Sequence, residues 1–260
     1  MKKYWLIFKI TWQDILQYRF NFIIHVVKYA MAVSMMSIVW LAVQKNTPID
    51  GLTPESTVKY FFFAAILYGL SNFHTWHVEE DIKLGYLSKY LIRPYSIFKH
   101  YFAYYLTFMS ADLGIKLMVM IPLLKLFGYS FLPTWWQALI FALYLPLIFI
   151  FAYTIHFTVA SFSFWIIESY SLRWVTLSIM RLLSGIIFPL HLLSDKFVEL
   201  TFYLPFQHLA FTPIELILGN LSWQAAIKGM FILSLWTLIA LYIKGKVWYQ
   251  GVHNYESTGV

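Results

Sequence analysis

The chain has 260 residues, of which 60% are hydrophobic, 21% are aromatic, and only 12% are Asp, Glu, Lys or Arg. About a quarter of the residues in ordinary soluble domains are charged, so this composition excludes a disordered chain and argues against a soluble globular protein. The net charge of +7 fits the cytosolic loops of a membrane protein better than a nucleic-acid-binding surface. The absence of cysteine excludes disulfides, thiolate metal sites and cysteine nucleophiles.

Long apolar stretches predict an all-α integral membrane protein with six transmembrane helices in one domain, 1–260. Residues 126–167 contain no Asp, Glu, Lys or Arg, and one crossing needs about 20 mostly apolar residues. The spans are predicted at 20–43, 60–77, 101–124, 136–166, 174–193 and 223–243. The fourth is longer than a perpendicular crossing requires, so we expect it to tilt, to kink near Pro146 or to extend into the cytosol.

Two further segments do not fit a simple span. Over residues 4–19, apolar side chains recur at helical intervals among charges, which indicates an N-terminal helix lying in the membrane interface. Residues 195–222 are apolar but interrupted by Pro205, Pro213 and Gly219. They predict two short helices that dip into the outer interface or re-enter the membrane. The tail after the sixth span is too short to fold alone.

The distribution of Lys and Arg predicts that both termini are cytosolic. Eleven cations then lie on the inner side, against five on the outer side, and cytosolic loops are enriched in Lys and Arg. The inner cations are Lys2, Lys3, Lys9, Arg19, Lys83, Lys89, Arg93, Lys99, Arg173, Lys244 and Lys246. The outer cations are Lys45, Lys59, Lys125, Lys196 and Lys228.

The largest internal loop, residues 74–100, begins with the acidic run Glu79, Glu80 and Asp81 and then turns basic. Apolar residues between the charges predict a short amphipathic helix that breaks at Pro94, because proline disfavours helical geometry in the residue before it. A short helix with both charge signs suits docking to another protein. The alternative is an interfacial helix that only joins two spans.

Four charges fall deep inside predicted spans, whereas Lys228 lies near the outer start of the sixth. Asp112 and Lys116 are four residues apart, so they share a helix face and can neutralise each other. An intramembrane ion pair suggests a polar path by default, but it could equally hold helices together. Lys28 and Arg181 have no partner on their own helices and could meet Asp112, Glu168 or a neighbouring subunit, or reach an interface.

No catalytic or metal motif is present. His74 and His77, followed by Glu79 and Glu80, could contribute metal ligands, but three or four convergent ligands are needed and there is no HExxH motif. We therefore predict no metal site. Neither GxxxxGK[ST] nor GxSxG occurs, so the chain is not predicted to be an enzyme. Energy for uphill transport would have to come from a partner or from an ion.

Three segments together resemble the ABC-2 type permease family, in the branch of six-span permeases paired with a separate ATPase. They are GYLSKYLIRPYSIF at 85–98, SGIIFPLHLLS at 184–194 and YLPFQHLAFTPIELILGN at 203–220. Each motif is short and degenerate, but their order and spacing agree with the family along nearly the whole chain.

The resemblance implies a permease subunit of an ABC exporter in a bacterial cytoplasmic membrane. Two permeases, identical or paralogous, would assemble with two ATPase subunits that bind ATP and magnesium, and this chain would hold no cofactor. Residues 79–93 would form the coupling helix that docks on the ATPase, and the N-terminal helix would join the cytosolic collar. The implied docking residues are Glu79, Glu80, Asp81, Lys83, Tyr86 and Arg93.

Two other classes of function stay open. The first is an ion-coupled secondary transporter that uses Asp112 as its proton site. The second is a membrane-embedded enzyme or scaffold without a transport role, although the convergent acid and base residues of an enzyme are not found. The aromatic content suits an amphipathic or lipid-like substrate, but much of it could equally form an interfacial belt.

Overall fold

The computed structural model describes residues 2–17, 19–46, 53–72, 75–92, 96–129, 133–166 and 169–255. These residues form eleven α-helices and three 3₁₀ helices with no strand among them, which confirms the predicted all-α class. The α-helices are α1 (Lys2–Gln17), α2 (Arg19–Asn46), α3 (Pro54–Ser71), α4 (Trp76–Lys83), α5 (Ser88–Leu91), α6 (Ile97–Leu126), α7 (Trp135–Ser161), α8 (Ser169–Ser184), α9 (Asp195–Phe202), α10 (Phe211–Leu218) and α11 (Trp223–His253). The 3₁₀ helices are Phe162–Phe164, Leu190–Leu192 and Phe206–Leu209.

Four helices in the described part of the chain are long and apolar enough to cross a membrane: α2, α6, α7 and α11. They correspond to the first, third, fourth and sixth predicted spans. The second and fifth spans correspond to α3 and α8, which have 18 and 16 residues. At 1.5 Å per residue these helices are about 27 and 24 Å long. They are not among the four, so the six-span count stays a prediction.

The N-terminal helix predicted over 4–19 is present as α1, which packs along α6. The placement of α1 in the membrane interface stays a prediction. Its contact with α6 nevertheless makes it one wall of the bundle.

The ends of α3 differ from the predicted span 60–77, and local hydrogen bonds explain why. The Thr53 hydroxyl accepts a bond from the Ser56 amide at 3.1 Å, and the Ser56 hydroxyl accepts one from the Thr53 amide at 2.8 Å. This reciprocal cap starts the helix early. The helix ends before Asn72, and the next helix begins at Trp76. The end of the predicted span therefore belongs to α4.

α3 occupies the centre of the bundle. It packs against α2, α6, α7 and α10, and most of its side chains from Thr57 onwards are buried. The Tyr60 hydroxyl donates to the Gly185 carbonyl at 2.7 Å, which ties α3 to the end of α8. Helices in lipid associate through close packing and such hydrogen bonds. Protein rather than lipid therefore surrounds most of α3.

α8 also lies nearer the N-terminus than its predicted span 174–193. It ends at Ser184 because Gly185 takes a left-handed conformation, with φ of +82°. Glycine reaches that conformation without the steric cost of a Cβ, and it commonly terminates helices. The chain then turns into the 3₁₀ helix Leu190–Leu192.

The interrupted segment 195–222 contains two short α-helices, α9 and α10, as predicted. Pro205 separates α9 from a 3₁₀ helix, and Gly219 ends α10 with φ of +87°. The break predicted at Pro213 is wrong. Pro213 lies in the first turn of α10, where the missing N–H removes no intrahelical hydrogen bond. The depth of this segment in the membrane stays a prediction.

α11 continues to His253, well beyond the predicted end at residue 243. Side-chain packing explains the extension, because the Trp248 ring lies 5.0 Å from Phe157 and 5.4 Å from Phe164. The Tyr255 ring follows at 5.8 Å from Phe164. Residues 244–253 of the tail therefore continue α11 and pack against the end of α7 and the 3₁₀ helix that follows it.

Gly229 permits the close approach of α11 to α7. A Cβ at this position would lie 2.7 Å from the Tyr144 hydroxyl oxygen and 2.8 Å from His208 Nδ1. Gly229→Ala should lower the free energy of unfolding by about 1–3 kcal/mol through overpacking. The thermal unfolding midpoint of the purified protein in detergent measures this loss.

Gly245→Ala is the matched control on the same helix, because a Cβ at Gly245 would meet no atom of the described residues within 4 Å, apart from its own helix's backbone. This change should leave the midpoint unchanged or raise it slightly, since alanine favours helix by about 1 kcal/mol over glycine. Equal effects of the two substitutions would contradict the packing of α11 described above.

Candidate functional site

The predicted docking loop folds as two short helices instead of one. We call residues 75–92 the α4–α5 loop. α4 ends at Lys83, and Gly85 adopts φ of +76° before α5 begins at Ser88. The Leu87 amide donates to the Asp81 carbonyl at 2.8 Å and closes the turn. The single amphipathic helix expected here is therefore wrong, because the glycine turn reverses the chain.

Glu79 points into the protein and forms a buried ion pair. Its Oε1 lies 2.8 Å from Nη1 of Arg173 on α8, and both residues are only 6% exposed. The Ser169 hydroxyl donates to the second carboxylate oxygen at 3.1 Å and accepts a bond from Ser163 at 2.7 Å. These contacts join α4, the 3₁₀ helix Phe162–Phe164 and the start of α8.

Asp81 also points inward and connects the loop to α6. It accepts a hydrogen bond from the Tyr101 hydroxyl, and Lys89 Nζ lies 3.6 Å from its other oxygen. Burial lowers the pKa of Lys89, but the nearby Asp81 carboxylate and Tyr90 raise it more, so the net shift is upward. Lys89 therefore stays protonated, and the turn between α4 and α5 is pinned by charge.

The outward face of the α4–α5 loop carries the other predicted docking residues. Glu80, Lys83 and Tyr86 are exposed. Lys89 Nζ lies 5.1 Å from the Tyr86 ring and 4.7 Å from the Tyr90 ring, distances that suit cation–π attraction. Arg93 lies outside the described residues. We call Glu80, Lys83 and Tyr86 the exposed docking face.

His77 contacts an aromatic residue of α6. Its Nε2 lies 3.0 Å from the Tyr104 hydroxyl. Burial lowers the pKa of His77 despite the opposing effect of Glu80 and Asp81, so the ring is neutral at pH 7. His74 lies outside the described residues, and Glu79 is engaged by Arg173. No group of three or more potential metal ligands occurs within the described ranges.

Asp112 and Lys116 form the ion pair that their spacing predicts. Lys116 Nζ lies 2.7 Å from Asp112 Oδ2 and donates to the Ala65 carbonyl of α3 at 2.8 Å. A Cβ at Gly69 would collide with both charged groups, so this glycine leaves room for the pair against α3. Lys116 thereby holds α6 to α3.

The same pair lines a cavity of about 740 Å³, which we call the inner cavity. Its walls come from α1, α2, α3 and α6, and they include Trp12, Tyr68, Tyr104, Asp112 and Lys116. The Asp112 side chain is 31% exposed, whereas the Lys116 side chain is only 9% exposed. The pair thus packs α6 against α3 and also borders an open space. Its role in a polar path stays a prediction.

The other two intramembrane charges lie apart. Arg181 donates through Nη2 to the Tyr68 hydroxyl at 2.8 Å, and its guanidinium lies 5.8 Å from the Trp174 ring. Tyr68 in turn lines the inner cavity. Lys28 is exposed on α2. Arg181 therefore meets a phenol of α3, whereas Asp112 is paired with Lys116. Glu168 lies outside the described residues, so its pairing with Arg181 stays a prediction.

Sequence reasoning missed a buried carboxylate on α10. Glu215 is 3% exposed, with His191 Nε2 at 3.3 Å and the Asn220 side-chain amide at 3.0 Å. Its Oε1 has no hydrogen-bond partner among the described residues. An acidic residue within the apolar run 211–218 was the available signal. Glu215 thereby contacts the 3₁₀ helix Leu190–Leu192 that follows α8.

Comparison with known protein families gives one result that covers almost the whole chain. A family model described as "ABC-2 family transporter protein" matches residues 11–259. No curated protein matches the sequence significantly.

The buried ion pair predicts a specific loss of stability. Glu79→Gln leaves the Arg173 charge buried without its counter-charge, which should lower the free energy of unfolding by about 3–5 kcal/mol. Thermal unfolding in detergent, together with the rate of tryptic cleavage in the α4–α5 loop, measures this effect.

Glu80→Gln is the matched control, because the neighbouring carboxylate is exposed and its loss should be nearly neutral. The double variant Glu79→Leu/Arg173→Met removes both charges and should recover most of the lost stability. The ion pair would not stabilise the loop if Glu79→Gln and Glu80→Gln had the same unfolding midpoint.

Proposed function

Since the chain belongs to the ABC-2 family of transporter proteins, we propose that it is the transmembrane subunit of an ATP-driven exporter. Two permeases, identical or paralogous, form the translocation pathway, and separate ATPase subunits bind ATP and magnesium. This chain contributes the membrane path and the surface on which the ATPase docks. The family is a membrane transport component rather than a catalytic one.

One observation carries this proposal: the α4–α5 loop is exposed on one side and anchored on the other. Glu80, Lys83 and Tyr86 are exposed, whereas Glu79 and Asp81 are bound to α8 and α6. A force applied to the exposed docking face therefore reaches two membrane helices through hydrogen-bonded, buried contacts. ATP supplies driving energy only through its differential affinity for the closed and open ATPase dimers.

Packing at the two ends of α7 supports six spans. The Thr75 hydroxyl donates to the His156 carbonyl near the C-terminal end of α7, at 3.1 Å. Near the other end, the Gln137 side chain donates to the Leu216 carbonyl of α10 at 3.2 Å. The α4–α5 loop and α10 therefore lie at opposite ends of a helix long enough to cross the membrane.

α3 and α8 each run between those two ends. The end of α3 meets α7 where the His156 ring lies 2.9 Å from the Ser71 carbonyl. α8 begins beside Glu79 at Ser169 and ends at Ser184, and Tyr60 of α3 binds the carbonyl of the next residue, Gly185. We propose that both helices cross the membrane, largely shielded by the longer helices, with both termini in the bacterial cytosol.

An ion-coupled transporter remains the second candidate, because Asp112 borders the inner cavity. Protonation of this carboxylate would break its pair with Lys116, which is held at 2.7 Å. The absence of a copurifying ATPase, together with transport that follows a pH gradient, would favour this candidate over the exporter.

The topology can be tested with single cysteines, because the chain contains none. Lys83→Cys should react with a membrane-impermeant maleimide only after cells are opened, since six spans place the α4–α5 loop inside. Lys125→Cys, at the end of α6, should react in intact cells. Both residues are exposed in the structure. With four spans the two reactivities would be reversed.

Docking can be tested by reversing charges on the exposed face. The double change Glu80→Lys/Lys83→Glu should weaken association with the ATPase by about tenfold, because like charges then meet across the interface. The measurement is the amount of ATPase and the ATP hydrolysis that copurify with the tagged chain from its native membranes.

Lys196→Glu on α9 is the control, since this exposed cation lies on the proposed outer side. It should leave both quantities unchanged. If a P-loop ATPase copurifies equally with all forms, the α4–α5 loop is not its docking site. If no ATPase activity copurifies with the unmodified chain, the exporter proposal fails.

A further inference from the structure

We propose that the inner cavity binds hydrophobic cations, meaning molecules with a quaternary or delocalised positive charge on an apolar body. The proposal rests on the proposed export function only in treating the ligand as a transport substrate. Binding itself is a property of this chain. The cavity volume of about 740 Å³ lies within the range of about 300–1,000 Å³ usual for small-molecule sites.

The accessible charge in the cavity is negative. Its lining includes two carboxylates, Asp14 and Asp112, and one ammonium group, Lys116. Asp14 is exposed and Asp112 is 31% exposed at its side chain. The Lys116 side chain is 9% exposed. A ligand therefore meets the carboxylates before it meets the ammonium group.

Lys116 is also occupied by the protein. Its Nζ binds Asp112 at 2.7 Å and the Ala65 carbonyl at 2.8 Å, and it lies 5.9 Å from the Tyr29 ring. An anionic ligand would have to displace these contacts and would lie beside two carboxylates. His25 is the other titratable nitrogen on the described part of the wall, and Arg181, which binds the wall residue Tyr68, is not itself among these lining residues. The electrostatics thus favour a cation over an anion of the same shape.

Aromatic rings provide the rest of the recognition. Trp12, Tyr104 and Phe108 line the cavity, and the rings of Tyr104 and Phe108 are 5.0 Å apart in an edge-on arrangement. Aromatic faces attract cations, most strongly where water is excluded. The remaining wall is largely apolar, with Ile15 and Met118 among its residues. An apolar body with a diffuse positive charge fits such walls, whereas a small hydrated cation does not.

The test compares two probes of matched shape and opposite charge, tetraphenylphosphonium and tetraphenylborate. Equilibrium dialysis against the purified full-length chain in lipid nanodiscs measures binding of each probe, with empty nanodiscs correcting for partition into lipid. We expect tetraphenylphosphonium to bind about tenfold or more tightly than tetraphenylborate after this correction, because one favourable charge contact in a partly buried site suffices for that ratio.

Variants then locate the site. Asp112→Asn should weaken tetraphenylphosphonium binding by about tenfold, although it also leaves Lys116 without its counter-charge. The double variant Asp112→Asn/Lys116→Met removes both charges, so it avoids a buried lone ammonium, and it should reduce the preference for the cation because Asp14 remains as the carboxylate of the lining. Gly69→Ala should weaken binding as well, because its Cβ would displace the Asp112 and Lys116 side chains. Asp195→Asn, on exposed α9, is the control and should bind as the unmodified chain does.

Equal corrected binding of the two probes would overturn the proposal, and so would unchanged binding by a double variant that keeps its unfolding midpoint. The measurement needs no ATPase, so its failure is separable from that of the exporter proposal. If an ATPase copurifies but the phosphonium does not bind, only the ligand class is wrong. If the phosphonium binds with the predicted variant pattern, the cavity is a cation site whatever the partner.

Discussion

The ion pair between Glu79 and Arg173 is the contact on which the arrangement of the α4–α5 loop depends. It joins residues that are 94 positions apart and lies almost fully out of water. A charge buried in this way costs several kcal/mol unless it is paired, so α4 and the start of α8 hold each other in one orientation. Asp81 adds a second attachment to α6. Together they turn the neighbouring residues Glu80 and Lys83 toward solvent.

Buried charges that bind polar partners also organise the interior of the bundle. Lys116 of α6 reaches a backbone carbonyl of α3, and it does so because Gly69 provides space at the helix crossing. Arg181 of α8 reaches Tyr68, which also lies on α3. α3 therefore receives polar contacts from two sides while its Phe residues pack against the other helices. A short helix can occupy the centre of a membrane protein when its neighbours supply both its packing and its hydrogen bonds.

The sequence predicted the helices that a lipid bilayer requires, but it did not predict most of the side-chain contacts between those helices. The apolar stretches of α2, α6, α7 and α11 were readable because a crossing in lipid must be helical and about 20 residues long. The four-residue spacing of Asp112 and Lys116 predicted their pair. The Arg173 partner of Glu79 was not readable, since nothing local relates the two positions. The inner cavity was not readable either, because it needs four helices to form. The turn at Gly85 was also not predicted, although the glycine itself is a local feature of the sequence.

The continuation of α11 past the apolar core affects how the end of the bundle next to the α4–α5 loop can move. Trp248 packs on Phe157 and Phe164 at the end of α7, and Lys244 lies 4.1 Å from the Phe98 ring at the start of α6. The α4–α5 loop packs against α7 in the same region. Three long helices are thus braced together just below the loop. A displacement of the loop would therefore tilt the packed ends of α6, α7 and α11 together as one rigid body. Close-packed side chains shift between discrete arrangements instead of deforming gradually.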